Sequence, residues 1–328
     1  MTSPLTLARV WRILKEVDLD AIRREADRQV RLLIVGETTA EADMFAVLLA
    51  EGLTEAIMWL TAIDASLAGP PGGQREAPVV DGPDIVFILA RGTGMSAELR
   101  TAREMWLKRG VRLVTVAVGT DERPGKVHTQ GSAARVAVDR LDAQGVGHAV
   151  DALLTVVEPE RRLALAREFP LLRRKIVDAL IDETARTNAG YAFSTGLAEV
   201  VPLLNIPLNI GDVIVLTKNQ LMMSYRIALA SGKRGQARDL IGEIIGVLGG
   251  GLLFRQIARQ LVGLLPVIGI VPKVAVAYGG TWAIGRAVLL WATQGDKLTT
   301  ARLRELSREG LTRGRAVARR MKRSDDYF

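Results

Sequence analysis

The chain has 328 residues, no cysteine and only two histidines, His128 and His148. That composition excludes disulfides and thiolate metal sites, argues against a histidine-rich zinc site, and leaves little material for a Ser-His-Asp triad. The net charge of +8 is unevenly spread: residues 31–158 carry 12 basic against 17 acidic groups, 159–295 carry 16 against 9, and 296–328 carry 10 against 5. An acidic middle followed by a basic, apolar half suits attraction to an anionic membrane face, and it disfavours nucleic acid as a partner.

A chain of this length usually forms about two domains. Residues 1–30 read as an amphipathic helix, with Leu7, Val10, Trp11, Leu14 and Val17 at three- and four-residue spacing. Acidic residues arrive before any long apolar core forms, so this segment is not expected to be a secretory signal, and a cytosolic or inner-face location follows. Residues 31–158 then alternate strand and helix. Strands are expected at 31–36, 57–63, 84–90, 111–119 and 134–139, with helices at 40–52, 96–110 and 146–157. That alternation predicts an α/β domain with a mostly parallel sheet covered on both faces.

Residues 159–184 read as a basic helical connector. Residues 185–297 form an apolar helical domain, and 298–328 a basic helical tail whose plainest reading is a solvated helix. Within the apolar domain, Pro202 and Pro207 punctuate a loop, and Asn209 and Asp212 suit the cap of a helix running to Gly232. Gly242, Gly246 and Gly250 recur every four residues, which predicts close approach of another helix there. Leu261 to Gly285 is an apolar run whose only charge, Lys273, stands at its midpoint. As one span it would put a lysine at the bilayer centre, at a cost of roughly 2.5–3.5 kcal/mol. Two arms hinged at Pro272–Lys273 would each be about 18 Å long, short of the roughly 30 Å hydrocarbon core. A helical hairpin is therefore expected, either shallow in a membrane or packed in a core.

The order DIVFILARGTGMSAELRTAREMWLKRGVRLVTVAVGTDE, with ARVAVDRLDAQGVGHAVDALLTVV after it, resembles the later strands and helices of small bacterial GTPases of the translation-factor-like class. RLLIVGETTAEAD falls where their phosphate loop belongs. The resemblance implies a G-domain scaffold without its chemistry. Gly36 stands at the first glycine, but Glu41, Ala42 and Asp43 occupy the glycine, lysine and Ser/Thr places that a phosphate loop needs. Of the guanine-reading motif only Asp121 is kept. The remnant positions are Gly36, Thr38, Thr39 and Asp121; no catalytic residue, cofactor or metal is expected. VIVLTKNQ (213–220) imitates a second guanine-reading motif, but Gln220 replaces the acid and offers one acceptor oxygen instead of two.

Residues 185–297 are similar to a bacterial domain of unknown function that is fused behind GTPase domains and occurs in YcjF-type inner-membrane proteins. The matching features are Ile206, Pro207 and Asp212, the Gln220–Met222–Met223 group, and the later proline-glycine hairpin. This similarity implies membrane association and linkage to GTPases, but no known reaction. The expectation is a non-catalytic pseudo-GTPase scaffold or regulator at the cytoplasmic face of a bacterial membrane. Its partners would be the lipid surface, met by Pro207, Lys273, Arg302, Arg304, Arg315 and Arg319, and a protein, with a GTPase or a second copy as candidates. The alternatives are a soluble helical scaffold in the cytoplasm and an atypical nucleotide-binding protein using Thr38, Thr39 and the amides after Gly36.

Overall fold

The computed structural model describes residues 14–15, 17–51, 60–65, 82–92, 94–198, 210–247, 270–295 and 298–325. The chain divides into two compact units, one of residues Arg24–Lys175 and one of Met1–Arg23 with Ile176–Phe328. Helix α1 (Leu19–Ala26) straddles the first division.

Unit Arg24–Lys175 is an α/β layer structure. Its order is β1 (Leu32–Gly36), α2 (Thr39–Leu49), β2 (Leu60–Asp64), β3 (Ile85–Arg91), α3 (Ala97–Lys108), β4 (Arg112–Val118), β5 (Val127–Gln130), β6 (Ala133–Val138), α4 (Ala143–Val156) and α5 (Pro159–Glu168). Six strands lie in the order β2-β1-β3-β4-β6-β5, all parallel except the β5–β6 pair. Residues 32–36 and 85–90 are buried without alternation, as expected of strands covered on both faces. On one face Leu33, Val35, Val86 and Ile88 pack with Leu99, Ala102 and Trp106 of α3. On the other, Phe45 of α2 meets Phe87 at 5.1 Å between ring centroids.

Helix starts follow from side-chain caps that satisfy otherwise unpaired amides. Thr38 accepts from the amide of Glu41, Ser96 from Leu99 at 3.2 Å and Asp142 from Gly145 at 2.9 Å. The expected strands and helices of this unit are present with ends shifted by a few residues, residues 57–59 lying outside the described ones. Strand β5 was not expected: VHTQ is polar and exposed on an edge, so it has neither an apolar run nor an alternating pattern to announce it.

The second unit is helical over its described residues: α6 (Pro170–Ala198, entering this unit at Ile176), α7 (Ile210–Ala230), α8 (Ala237–Val247), α9 (Ile270–Gln294) and α10 (Thr300–Asp325). An α/β region followed by an all-helical one is the fold class the sequence predicted. The expected hinge at Pro272–Lys273 is absent, because α9 begins at Ile270 and runs through both residues. A proline in the first turn is tolerated there, since the N–H it lacks would have no intrahelical partner.

The close helix approach is also elsewhere than predicted. Among the described residues, a Cβ added at Gly242 or Gly246 would meet nothing within 4 Å, and Gly250 lies outside them. One added at Gly279 of α9 would lie 2.6 Å from the carbonyl of Gly310 on α10, and Gly314 sits equally tightly against the backbone of Ala275. The two helices therefore touch backbone to backbone. Helix α10 is accordingly not solvated all round: Leu303, Leu306, Gly310, Gly314 and Ala318 are buried.

Candidate functional site

In an open parallel sheet the natural binding crevice lies beyond the strand C-termini, where the connections from adjacent strands diverge. Here that point is between β1, whose chain leads to β2, and β3 on its other side. Gly36 ends β1, and only Glu37 and Thr38 separate it from the first residue of α2. A phosphate loop places four residues between its glycines before the lysine, and wraps the phosphate with their amides. Two residues cannot make that ring. Gly36 is instead explained by the sharp turn, since a Cβ there would come within 2.8 Å of the Thr38 carbonyl and 3.2 Å of the Ala42 amide.

The other remnant positions are occupied by contacts within the unit. Thr38 caps α2, and the Thr39 hydroxyl donates to Asp64 Oδ2 at 3.3 Å. Glu37 Oε1 accepts from the amide of Ser96 at the start of α3, at 3.4 Å. Glu41, 9% exposed in the first turn of α2, forms an ion pair with Arg91 at the end of β3. Three carboxylates, Glu37, Glu41 and Asp64, thus stand at these strand ends, and Glu41 is the one paired with the Arg91 guanidinium. A phosphate brought within about 4 Å of any one of them would meet repulsion on the order of 4 kcal/mol at an effective dielectric of 20. The pairings that Glu37, Asp64 and Arg91 make were not legible in the sequence, because these residues come from different elements with no motif in common.

Asp121 is exposed in the β4–β5 connection. The strand that leads to it, β4, lies two strand spacings from β1, or about 10 Å. Beyond it the β5–β6 hairpin forms a shallow depression of about 470 Å³ lined by Glu122, Arg123, Lys126, His128 and Arg135. The Arg135 guanidinium donates to both oxygens of Glu122, at 2.6 and 2.7 Å, and this contact holds the Glu122 carboxyl below the usual range.

In the helical unit, Pro207 lies outside the described residues. Lys273 is half-buried in the first turn of α9, and burial lowers its pKa. Arg302, Arg304, Arg315 and Arg319 are all exposed on α10, but Arg302 is paired with Glu305 at 2.6 Å.

Between α6, α7 and α9 lies a polar network that the sequence did not reveal. The Thr281 hydroxyl accepts from Asn188 Nδ2 at 2.9 Å and from Gln220 Nε2 at 3.0 Å, and donates to the Ala277 carbonyl at 2.8 Å. Asn188 Oδ1 accepts in turn from Asn219 Nδ2 at 2.8 Å. One donor and two acceptors exhaust a hydroxyl, so Thr281 is fully satisfied, and Gln220 is needed for its amide N–H. At the rim of the same helices Tyr278 donates to Asp182, and Arg286 pairs with Asp178. Burial first, then the Asp182 carboxylate, pushes the Tyr278 phenol up to about 12.

Among the described residues, no group of three or more metal-ligating side chains is placed to hold a metal ion. One described helix, Lys273–Gln294, is long and apolar enough to cross a membrane; 83% of its most apolar window is buried within the protein. Comparison with protein-family models, characterised proteins and solved structures gave no match.

Proposed function

We propose that this chain is a non-catalytic, GTPase-like scaffold or regulator that works at the inner face of a bacterial membrane. The observation that carries the first half is the crevice at the strand ends. Its connection is too short to wrap a phosphate, and its hydroxyls and its arginine are engaged by Asp64, the Glu41 amide and the Glu41 carboxylate. The same pairing weighs against an atypical nucleotide-binding protein, for which Arg91 would be the natural cation. Titration calorimetry with magnesium and a non-hydrolysable GTP analogue is the test. No binding heat is expected, and a dissociation constant in the micromolar range or tighter would sink the reading.

The membrane half is supported by the apolar, basic composition of the second half of the chain and by the exposed arginines of α10. The burial of Lys273–Gln294 favours a competing reading, a soluble helical scaffold, because a helix already covered by its own unit offers little surface to lipid. Extraction from cells separates the two: release by high salt or detergent supports membrane association, and full recovery in the soluble fraction at low salt supports the rival.

A further inference from the structure

The cations of α10 are not spread evenly around the helix. At about 100° per residue, Arg304, Arg308, Arg315, Arg319 and Lys322 fall within about 60° of one another. All five are exposed, and none has a carboxylate in ion-pair reach among the described residues. Two acids of the helix stand on a flank, where Glu305 pairs with Arg302 and Glu309 with Arg313, whose guanidinium also stacks 4.7 Å above the Trp282 ring. The side facing away from the stripe is the one fixed to α9 through Gly310 and Gly314. Helix α10 therefore cannot roll to hide the stripe without breaking a backbone contact.

We infer that this stripe is the docking face of the protein for an anionic lipid surface, with α10 lying flat on the headgroups. The inference rests on the membrane reading above and deepens it by naming the residues and the orientation. The stripe runs roughly 27 Å at about 1.5 Å per residue, in a straight line that a plane of charges meets along its whole length. A duplex curves away from such a line. Residues 300–322 contain no aromatic side chain, so stacking on bases is not offered. The apolar face of α10 is already buried, so binding is electrostatic rather than insertive and must weaken as salt shortens the screening length. Arg302, expected from the sequence to share this contact, is excluded from it by its pairing with Glu305 on the flank.

The test compares two variants of the full chain with the same change in net charge, Arg308→Gln/Arg319→Gln on the stripe and Arg302→Gln/Arg320→Gln off it. Vesicles of phosphatidylcholine with about a third phosphatidylglycerol are the probe. At about 1 kcal/mol per surface cation, the stripe variant should lose roughly thirtyfold in affinity. The off-stripe variant should lose no more than about threefold. Arg308→Lys/Arg319→Lys should bind like the parent, because a charged plane reads charge and not guanidinium geometry. If the parent binds and the stripe variant binds equally well, the stripe assignment fails while the membrane reading stands. If the parent does not bind at any ionic strength, the membrane reading fails and takes the stripe with it. Duplex DNA binding that is lost in the stripe variant, with vesicle binding unchanged, would overturn the proposal in favour of a nucleic-acid surface.

Discussion

At the strand ends of the α/β unit, Glu37, Glu41 and Asp64 each engage a group from the same unit. The five cations of the α10 stripe are exposed and have no such partner among the described residues. Both places are rich in charge, yet only the second has charge left for something outside the chain. A crevice is read as a site because of where it lies in the sheet, but what it can bind depends on whether its own side chains already satisfy one another. Here the location that topology marks is closed by its residues, and a plain terminal helix carries the open valence.

The same contrast runs through the packing, and the sharpest way to break it is to separate the helices that aim the stripe. Gly310→Leu forces a side chain into the backbone of Gly279, and overpacking of this kind costs about 3 kcal/mol or more. Hydrogen exchange should accelerate across α9 and α10 and stay unchanged in β1, β3 and β4. Next in size is the buried network. Asn188→Leu removes the partner of Asn219 and one of the two donors to Thr281 inside the helical unit, and should lower stability by about 2 kcal/mol in denaturant unfolding.

A smaller effect is expected at the strand ends. Arg91→Ala leaves the mostly buried Glu41 without its cation and should cost about 1 kcal/mol, since the arginine itself is largely exposed. It should not create nucleotide affinity, because it removes the cation paired with Glu41 and leaves that carboxylate uncompensated at the crevice. Gain of GTP binding in that variant would erase the contrast between a closed crevice and an open stripe.

The smallest effects set the two units against each other in pH. Arg112 donates to Glu158 at 2.7 Å and holds its carboxyl below the usual range. A depressed folded pKa gives stability that is present above the ordinary carboxylate range and lost as the pH falls through the folded value, so this contact weakens in acid. Tyr278 is the reverse case. Its folded pKa is raised from 10.0 to about 12, so its contribution is full below pH 10 and is lost as the pH rises through about 12. Phenolate absorbance, read as the difference between the parent and Tyr278→Phe, should show this late ionisation. Asp182→Asn should bring it down only part of the way, because burial is the larger cause.

Local pattern was enough to determine several things about this protein. Uninterrupted apolar runs such as LLIVG and IVFILA specify strands covered on both faces, and the alternation of such runs with amphipathic segments specifies a parallel α/β layer ahead of a helical region. The loss of the phosphate-loop residues at 41–43 was equally plain, since it is a matter of residue types at fixed offsets. Contacts between residues far apart in sequence were set by the folded arrangement instead. Gly242 and Gly246 have the spacing of a helix-crossing motif, yet the crossing is made by Gly279 with Gly310, because close approach depends on which helix is opposite. Asn188, Gln220 and Thr281 are unremarkable polar residues in apolar runs until three helices bring them to one hydroxyl. The nine basic residues of the tail are visible as composition, but which of them are free depends on the face that α9 buries and on the acids within reach. Periodicity fixes the face of an element, whereas pairing is a property of what lies across from it.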